Sequence, residues 1–331
     1  VLELKSPPLE YSMEPSEEQP YAEYTIQIQA EGFEREEIAG TEVLPDVLAQ
    51  QPVRLRFQSR QSFDRIVIGP HTLFAEYPPK NPEAEIKPVN ETGEIVLSKV
   101  VIPEYVIVHN GPVGDQSAGN YYVRYKDYIK NVASSEIYAT WPENTIIANV
   151  LAIMSFTLNR VYTEYYRTRG YDYDITNTTQ YDQAYVEGGD VFENISQIVD
   201  DSFNNYIVRQ GSVEPLFAQF CDGVRTQCGG LSQWGSVDLA QDGMNPYEIL
   251  QYYYGGDISI VFNAPVGGSV PSYPGRPLRR GDVGNDVLLL QRQLNRIRRN
   301  YPAIPEIPEP STVFDVPMEE AVKSFQQIFN L

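Results

Sequence analysis

The chain has 331 residues, enough for two or three domains at roughly 100–150 residues each. Hydrophobic residues make up 42%, which supports packed cores and excludes a wholly disordered chain. Lys plus Arg number 25 against 45 Asp plus Glu; a formal charge of −20 repels phosphate backbones, so nucleic acid is not an expected partner.

From the N-terminus, Tyr24, Ile26, Ile28 and Ala30 alternate with Thr and Gln, and Val53, Leu55 and Phe57 repeat the pattern. Both read as strands with one solvated face, with turns at Glu31-Gly32 and Ala39-Gly40. A small antiparallel β-sandwich is expected here. The acidic pairs Glu17-Glu18 and Glu36-Glu37 read as solvated surface. Asp64 to Leu73 and Pro78 to Val89 read as an extended, Pro-punctuated connector with little core of its own. The chain starts with Val rather than Met and shows no signal-peptide pattern, which reads as a mature or trimmed fragment.

Further on, Tyr128 to Glu136 and Glu143 to Arg169 read as helices. In the second, Ile146, Ile147, Val150, Leu151, Met154, Leu158, Val161 and Tyr165 recur at steps of three and four. Trp141-Pro142 precedes it, Pro suiting a first helical turn, and Gly170 ends it. The longest apolar run, Ile146 to Met154, is interrupted by Asn149 and falls short of the about 20 apolar residues of a spanning helix, so no membrane-spanning segment is expected. Tyr171 to Ile175 alternates like a strand. Asn194 to Tyr206 and Pro246 to Tyr254 read as helices, the latter stopping at Gly255-Gly256.

The last part changes character. Between Arg276 and Arg299 there are seven Arg and two Asp, a local charge of +5 in an acidic chain. Val287, Leu290, Leu294 and Ile297 form one helical stripe; Ala321, Phe325 and Phe329 form another. The basic segment suits an anionic polymer or a solvated helix face.

The chain has two cysteines and two histidines. Cys221 and Cys228 read as a short-loop disulfide, which fits an oxidising, extracytoplasmic setting; free thiols and a metal site are the alternatives. His71 and His109 lie far from them, with no HExxH or CxxC, so no metal and no cofactor are expected. His109, where a strand runs into a turn, reads as a structural or surface histidine.

Two segments resemble known families. Leu278-Arg-Arg-Gly281-Asp-Val-Gly284-Asn-Asp-Val287-Leu-Leu-Leu290-Gln291-Arg-Gln-Leu294-Asn295, with the later Ala321-Val322-Lys-Ser-Phe325-Gln326, resembles a peptidoglycan-binding module of three short helices, incomplete at its C-terminus. Ala133-Ser-Ser-Glu136-Ile-Tyr-Ala-Thr-Trp141-Pro142 and Gly230-Leu-Ser232-Gln233-Trp234-Gly235, followed by Tyr247 and Tyr252 to Tyr254, resemble the SpoIID/LytB family over about residues 104 to 262. Multidomain wall proteins of this kind also carry a carboxypeptidase-regulatory-like β domain, which the N-terminal strands fit.

The resemblance implies a multidomain fold: residues 1–75 an N-terminal antiparallel β-sandwich lacking its first strands, 76–103 a connector, 104–265 a central α+β SpoIID-like domain, 266–275 a linker, and 276–331 the small helical peptidoglycan-binding module. In enzymatic members a glutamate in E-x-x-x-x-W-P is general acid and base in glycan-strand cleavage. It protonates the glycosidic oxygen after N-acetylmuramic acid, then assists attack by the sugar's own 6-hydroxyl, leaving a 1,6-anhydro product. Glu136 stands there; its small and apolar neighbours favour a protonated acid once buried, and a plain helix-end carboxylate is the other reading. The family's helical Arg position holds Met154, and the Cys/His zinc cluster of some members is replaced by Thr178 to Tyr185 without Cys or His.

Trp141, Gln233 and Trp234 are expected in a glycan cleft, a Trp face stacking on sugars and Gln bonding hydroxyls or N-acetyl groups. Tyr181, Asp182, Gln183 and Asp222 are further candidates, and core packing is the alternative for Trp234. The expected function is extracytoplasmic peptidoglycan binding at the cell wall or spore surface, with glycan cleavage as a lytic transglycosylase. The alternative is a non-catalytic wall or spore scaffold, self-assembling and meeting other wall or spore proteins.

Overall fold

A computed structural model describes residues 2–57, 63–81, 100–267, 277–298 and 301–328. They fall in two compact units, Val1–Gly267 and Gly268–Leu331. The linker residues 268–275 and most of the Pro-punctuated connector, 82–99, lie outside the described residues, as do Arg276, Arg299 and Phe329.

In the first unit, β1 (Ala22–Ile28) pairs antiparallel with β2 (Arg35–Val43), and β4 (Phe63–Val67) joins β2 in parallel. Along β1 half-buried and exposed residues alternate as its sequence alternates. Gly40 is not in a turn. Tyr24 faces Thr41 while Thr25 faces Ala39, so Gly40 is the extra residue of a β-bulge. Its φ is +90°, and a Cβ there would lie 2.2 Å from the Ile68 carbonyl oxygen.

The alternating Val53, Leu55 and Phe57 form no strand. They are 39%, 39% and 79% exposed, and Phe57 touches the sheet through a ring stack on Phe33 at 4.9 Å. Pro52 donates no N–H, and pairing is limited to an antiparallel bridge of Phe57 with Phe33 and a bond from the Glu34 N–H to the Arg56 carbonyl at 2.9 Å. The chain from Asp64 to Leu73 is more than connector. It supplies β4 and then buries Ile68, His71 and Leu73. Glu36 is buried, and Glu37 pairs with Arg65 at 3.2 Å, so this acidic pair is not simply solvated.

The central region holds β5 (Tyr105–His109), antiparallel to β6 (Asn120–Arg124) and parallel to β7 (Ile175–Thr176). Chain order then gives α1 (Tyr125–Glu136), α2 (Glu143–Tyr162), α3 (Glu193–Ser202), α4 (Gln233–Gln241) and α5 (Pro246–Tyr254). Short strands tie the rest together. β3 (Ala49–Gln50) pairs with β8 (Val191–Phe192), β9 (Tyr206–Arg209) with β12 (Ile258–Val261), and β10 (Phe220–Cys221) with β11 (Leu231–Ser232). Tyr21, Leu44 and Leu73 share one buried core with α1, α2 and α5.

α2 is buried along almost its whole length. Among the described residues it is the one helix long and apolar enough to cross a membrane, and it is the core helix of this unit. It stops at Tyr162 rather than Arg169, because Glu164 turns left-handed at φ +49° and Arg167–Arg169 form a separate 3-10 turn. α3 stops before Tyr206, which begins β9. Of the alternating Tyr171 to Ile175, only Ile175 pairs in a strand; Tyr173 stacks on His109 at 4.3 Å and on Tyr166 at 5.0 Å. His109 is buried there as a structural histidine.

In the second unit, α6 (Asn285–Ile297) and α7 (Val316–Ile328) enclose Val287, Leu294, Phe314, Met318 and Ala321. The glutamine of the motif is internal. Gln291 is fully buried, donates to the Val313 carbonyl at 2.8 Å and accepts from the Ser311 N–H at 2.6 Å. It pins the loop between the helices.

Candidate functional site

α1 carries Tyr125, Tyr128, Ile129, Val132, Ala133 and Glu136 to the inside at steps of three and four, so the last of them enters the core with the apolar face. Glu136 is fully buried at the helix C-terminus, where the helix dipole disfavours a negative charge. Its Oε1 accepts the Ala184 N–H at 2.7 Å and its Oε2 the Gln233 Nε2–H at 3.1 Å. Burial raises its pKa above the ordinary glutamate value, against the pull of Lys80 and of the Ala184 and Gln233 hydrogen bonds.

The Gly230 to Gly235 motif builds the opposite wall. A Cβ on Gly230 would lie 1.7 Å from the Gln219 carbonyl oxygen, so only glycine lets β11 lie against β10. Ser232 caps α4 through the Gly235 N–H at 3.0 Å, setting Gln233 as its first residue. Gln233, fully buried, also donates to the Glu136 backbone carbonyl at 3.1 Å, which aligns it with both ends of that residue.

Beside this pair lies an aromatic corner. Trp141 and Trp234 meet edge to face at 4.9 Å, and Tyr138 meets Trp141 at 5.7 Å and Trp234 at 5.9 Å. Trp141 is buried and donates its Nε1–H to the Ser12 carbonyl at 2.8 Å, so its face is spent on the fold. Trp234 and Tyr138 both line a cleft of about 490 Å³, together with Leu73, Phe74, Arg225 and the acidic segment Glu14 to Glu18.

The weaker candidates are structural in their contacts. Asp182 is fully buried and accepts from Arg160 Nε at 2.8 Å, Tyr166 Oη at 2.7 Å, and the Thr176 N–H and Oγ1, each at 2.8 Å. Gln183 accepts from Tyr128 Oη at 3.1 Å and Thr157 Oγ1 at 2.9 Å and donates to the Ile153 carbonyl at 3.1 Å. These two hold the loop that offers the Ala184 N–H to Glu136. Asp222 is fully buried under its own turn, and half-buried Tyr181 packs on the Tyr165, Tyr166 and Tyr173 cluster. None of the four side chains lines the cleft beside Trp234.

The sequence reading did not include Tyr77, Lys80, Arg160 or Arg225. Lys80 is partly buried, with its ammonium turned inward to donate to the Asp182 carbonyl at 2.8 Å; burial first, against the attraction of Glu136 and Asp182, lowers its pKa to about 8. Tyr77 is buried beside Glu136, and burial together with that carboxyl pushes its phenol well up. The Gln233 Oε1 is buried without a hydrogen-bond partner among the described residues, while the Tyr77 phenol faces the Glu136 carboxyl. Tyr77-Pro-Pro-Lys80 has no periodicity that would flag it; Arg160 alone carried a signal, a charge inside an apolar helix.

Cys221 and Cys228 form a disulfide, with Cα atoms 6.1 Å apart. Among the described residues no group of three or more His, Cys, Asp or Glu is arranged to hold a metal.

Residues 117–207 match the model of the Stage II sporulation protein (SpoIID) family, and residues 283–331 match that of the peptidoglycan binding domain family. No curated protein matches the chain. The first match takes in α1, Glu136, α2 and the loop to Ala184, but neither the N-terminal strands nor the Gln233 motif. The chain is thus a multidomain protein with a central α+β SpoIID domain and a C-terminal helical peptidoglycan-binding domain.

Proposed function

We propose that this is an extracytoplasmic peptidoglycan-binding protein of the cell wall or spore surface that cleaves glycan strands as a lytic transglycosylase, with Glu136 as general acid and base. The observation that carries the reading is the Glu136 environment: a fully buried carboxyl of raised pKa, at a helix C-terminus, oriented by Ala184 and Gln233. A carboxyl whose pKa burial raises is the better proton donor to a glycosidic oxygen; as the resulting carboxylate it can take the proton of the 6-hydroxyl. The Gln233 Oε1, without a partner among the described residues, suits a sugar hydroxyl, and the largely buried Trp234 and Tyr138 line the neighbouring cleft. Under this reading the C-terminal domain holds the wall while the cleft works on it. The disulfide supports the oxidising location.

The domain boundaries belong to the same proposal. The N-terminal strands described form one three-stranded sheet in which β2 and β4 run parallel, not the expected all-antiparallel sandwich; a carboxypeptidase-regulatory-like β domain, connector, SpoIID-like domain, linker and module remain the proposed order. Asp182, Gln183 and Asp222 then serve as supports of the cleft, and Trp234 as its sugar-facing residue.

One observation favours a second reading, a non-catalytic wall or spore scaffold: the Glu136 carboxyl is wholly enclosed. Mass spectrometry of products from purified glycan strands, intact and stripped of stem peptides, separates the two. The expected result is 1,6-anhydro products from the wild type and none from Glu136→Gln. A wild type that pellets with the wall and yields no product under any condition leaves the scaffold.

A further inference from the structure

The enclosure of Glu136 has a definite source. Residues 71–81 cross the site as a strap that joins no sheet and brings Tyr77 and Lys80 against the carboxyl. Its ends are fixed to the central region. At one, the His71 ring bridges the Ser134 carbonyl and the Leu73 N–H, both at 3.2 Å; at the other, Lys80 Nζ reaches the Asp182 carbonyl and the Asn81 N–H the Gln180 carbonyl at 2.7 Å.

Its middle is held by one loop. The Arg225 guanidinium donates to the carbonyls of Leu73, Phe74 and Ala75, and Thr226 Oγ1 donates to the Tyr77 carbonyl at 2.7 Å. These two residues sit inside the loop closed by Cys221–Cys228. The buried Asp222 carboxylate shapes that loop, accepting the N–H groups of Val224 and Arg225 at 3.2 Å and of Thr226 at 2.8 Å, and Arg225 Nε at 2.9 Å. Besides the His71 turn and the buried Leu73 and Tyr77 side chains, four carbonyls of this stretch therefore depend on two side chains, whose positions depend on one disulfide and one carboxylate.

We infer that the disulfide-closed loop is a latch that keeps residues 71–81 shut across Glu136, and that the carboxyl is reached only when the strap lifts. Leu73 and Phe74 already form the wall of the cleft that holds Trp234 and Tyr138, so lifting the strap opens that cleft toward Glu136. A thiol reductant that exchanges with Cys221–Cys228, becoming a disulfide as the two thiols form, loosens the latch; so does loss of Arg225 and Thr226. The functional meaning of the gate rests on the acid/base reading of Glu136, whereas its mechanics do not.

The test is hydrogen–deuterium exchange on the full chain, comparing wild type, wild type with a dithiol reductant, and Arg225→Ala/Thr226→Val. Acrylamide quenching of the two tryptophans is followed alongside. The hydrogen-bonded amides of Leu73, Phe74 and Ala75 are expected to exchange about tenfold faster or more in the variant and in the reduced protein, with stronger quenching and α2 protection unchanged. Unchanged strap exchange in both overturns the latch. So does strap exchange that rises only together with loss of α2 protection, since the strap is then plain core. Anhydro products released by wild type while its strap amides stay protected overturn the gate. A strap that lifts in the variant without any product appearing overturns the catalytic reading of Glu136 and leaves the latch standing.

Discussion

The two walls around Glu136 are built on different principles. The inner wall comes from α1, the loop to Ala184 and the start of α4, and each contact there has a buried side chain behind it: Asp182 and Gln183 fix the loop, Ser232 fixes Gln233. The outer wall, residues 71–81, buries His71, Leu73 and Tyr77, but the backbone of its middle is tied to the rest of the chain by its carbonyls and one loop. The same carboxyl is thus seated in a rigid socket and covered by a detachable strap. The difference teaches where the chain is built to keep its geometry and where it is built to change it.

The largest expected effect falls on the socket. Asp182→Ala removes the buried carboxylate that accepts from Arg160 Nε and should cost about 3–5 kcal/mol in denaturant unfolding. A cost below about 1 kcal/mol, the range of an exposed pair, would mean the socket is not rigid at its base.

The next effect concerns the strap's hinge at His71. Burial lowers this imidazole to about 4 from 6.5, and its two contacts suit the neutral ring, Nε2–H donating to Ser134 and Nδ1 accepting from Leu73. The unfolded chain therefore binds the proton more readily between those values. Stability is fully present above pH 6.5 and declines as pH falls to about 4, by about 3 kcal/mol. Thermal unfolding across that window should show the decline in wild type and less of it in His71→Asn; equal slopes would remove His71 from the account.

Smaller again, Gln233→Leu leaves the Glu136 carbonyl and Oε2 without this donor and should cost about 1–3 kcal/mol, with lower activity than wild type. Chemical denaturation and product assays check it together. The smallest effect is that of Thr226→Val alone, about 1 kcal/mol for one hydrogen bond, confined to the exchange of strap amides. If it spread to α1, the contrast between the two walls would collapse.

Much of the socket was legible in the sequence, and the strap was not. Glu136, Trp141 and Gln233 lie in motifs whose spacing reflects local structure, a helix end followed by a proline-led helix and a capped helix start. The helix from Pro246 to Tyr254 was readable to both ends, since Asn245 and Glu248 form a capping box and Gly255 stops it. Periodicity misled where burial was decided by a distant partner. Val53, Leu55 and Phe57 alternate like a strand but only Phe57 finds a bridge partner, Phe33, whereas 71–81 has no pattern yet closes the site through Arg225, about 150 residues away in the chain. Asp182 and Gln183 were read as sugar ligands because polar residues near a motif suggest binding; their full burial shows how an interior can require the same residues.

The central claim is that burial in its socket raises the Glu136 carboxyl above the ordinary glutamate value, against the pull of Lys80, Ala184 and Gln233. It is tested most directly by following the side-chain carboxyl through a pH titration, using carbon-13 NMR on glutamate-labelled protein with Glu136→Gln to assign the signal. The account predicts a midpoint above the ordinary glutamate value of 4.5. A midpoint at or below it would contradict the account, leaving Glu136 an ionised structural partner of Lys80 and Gln233.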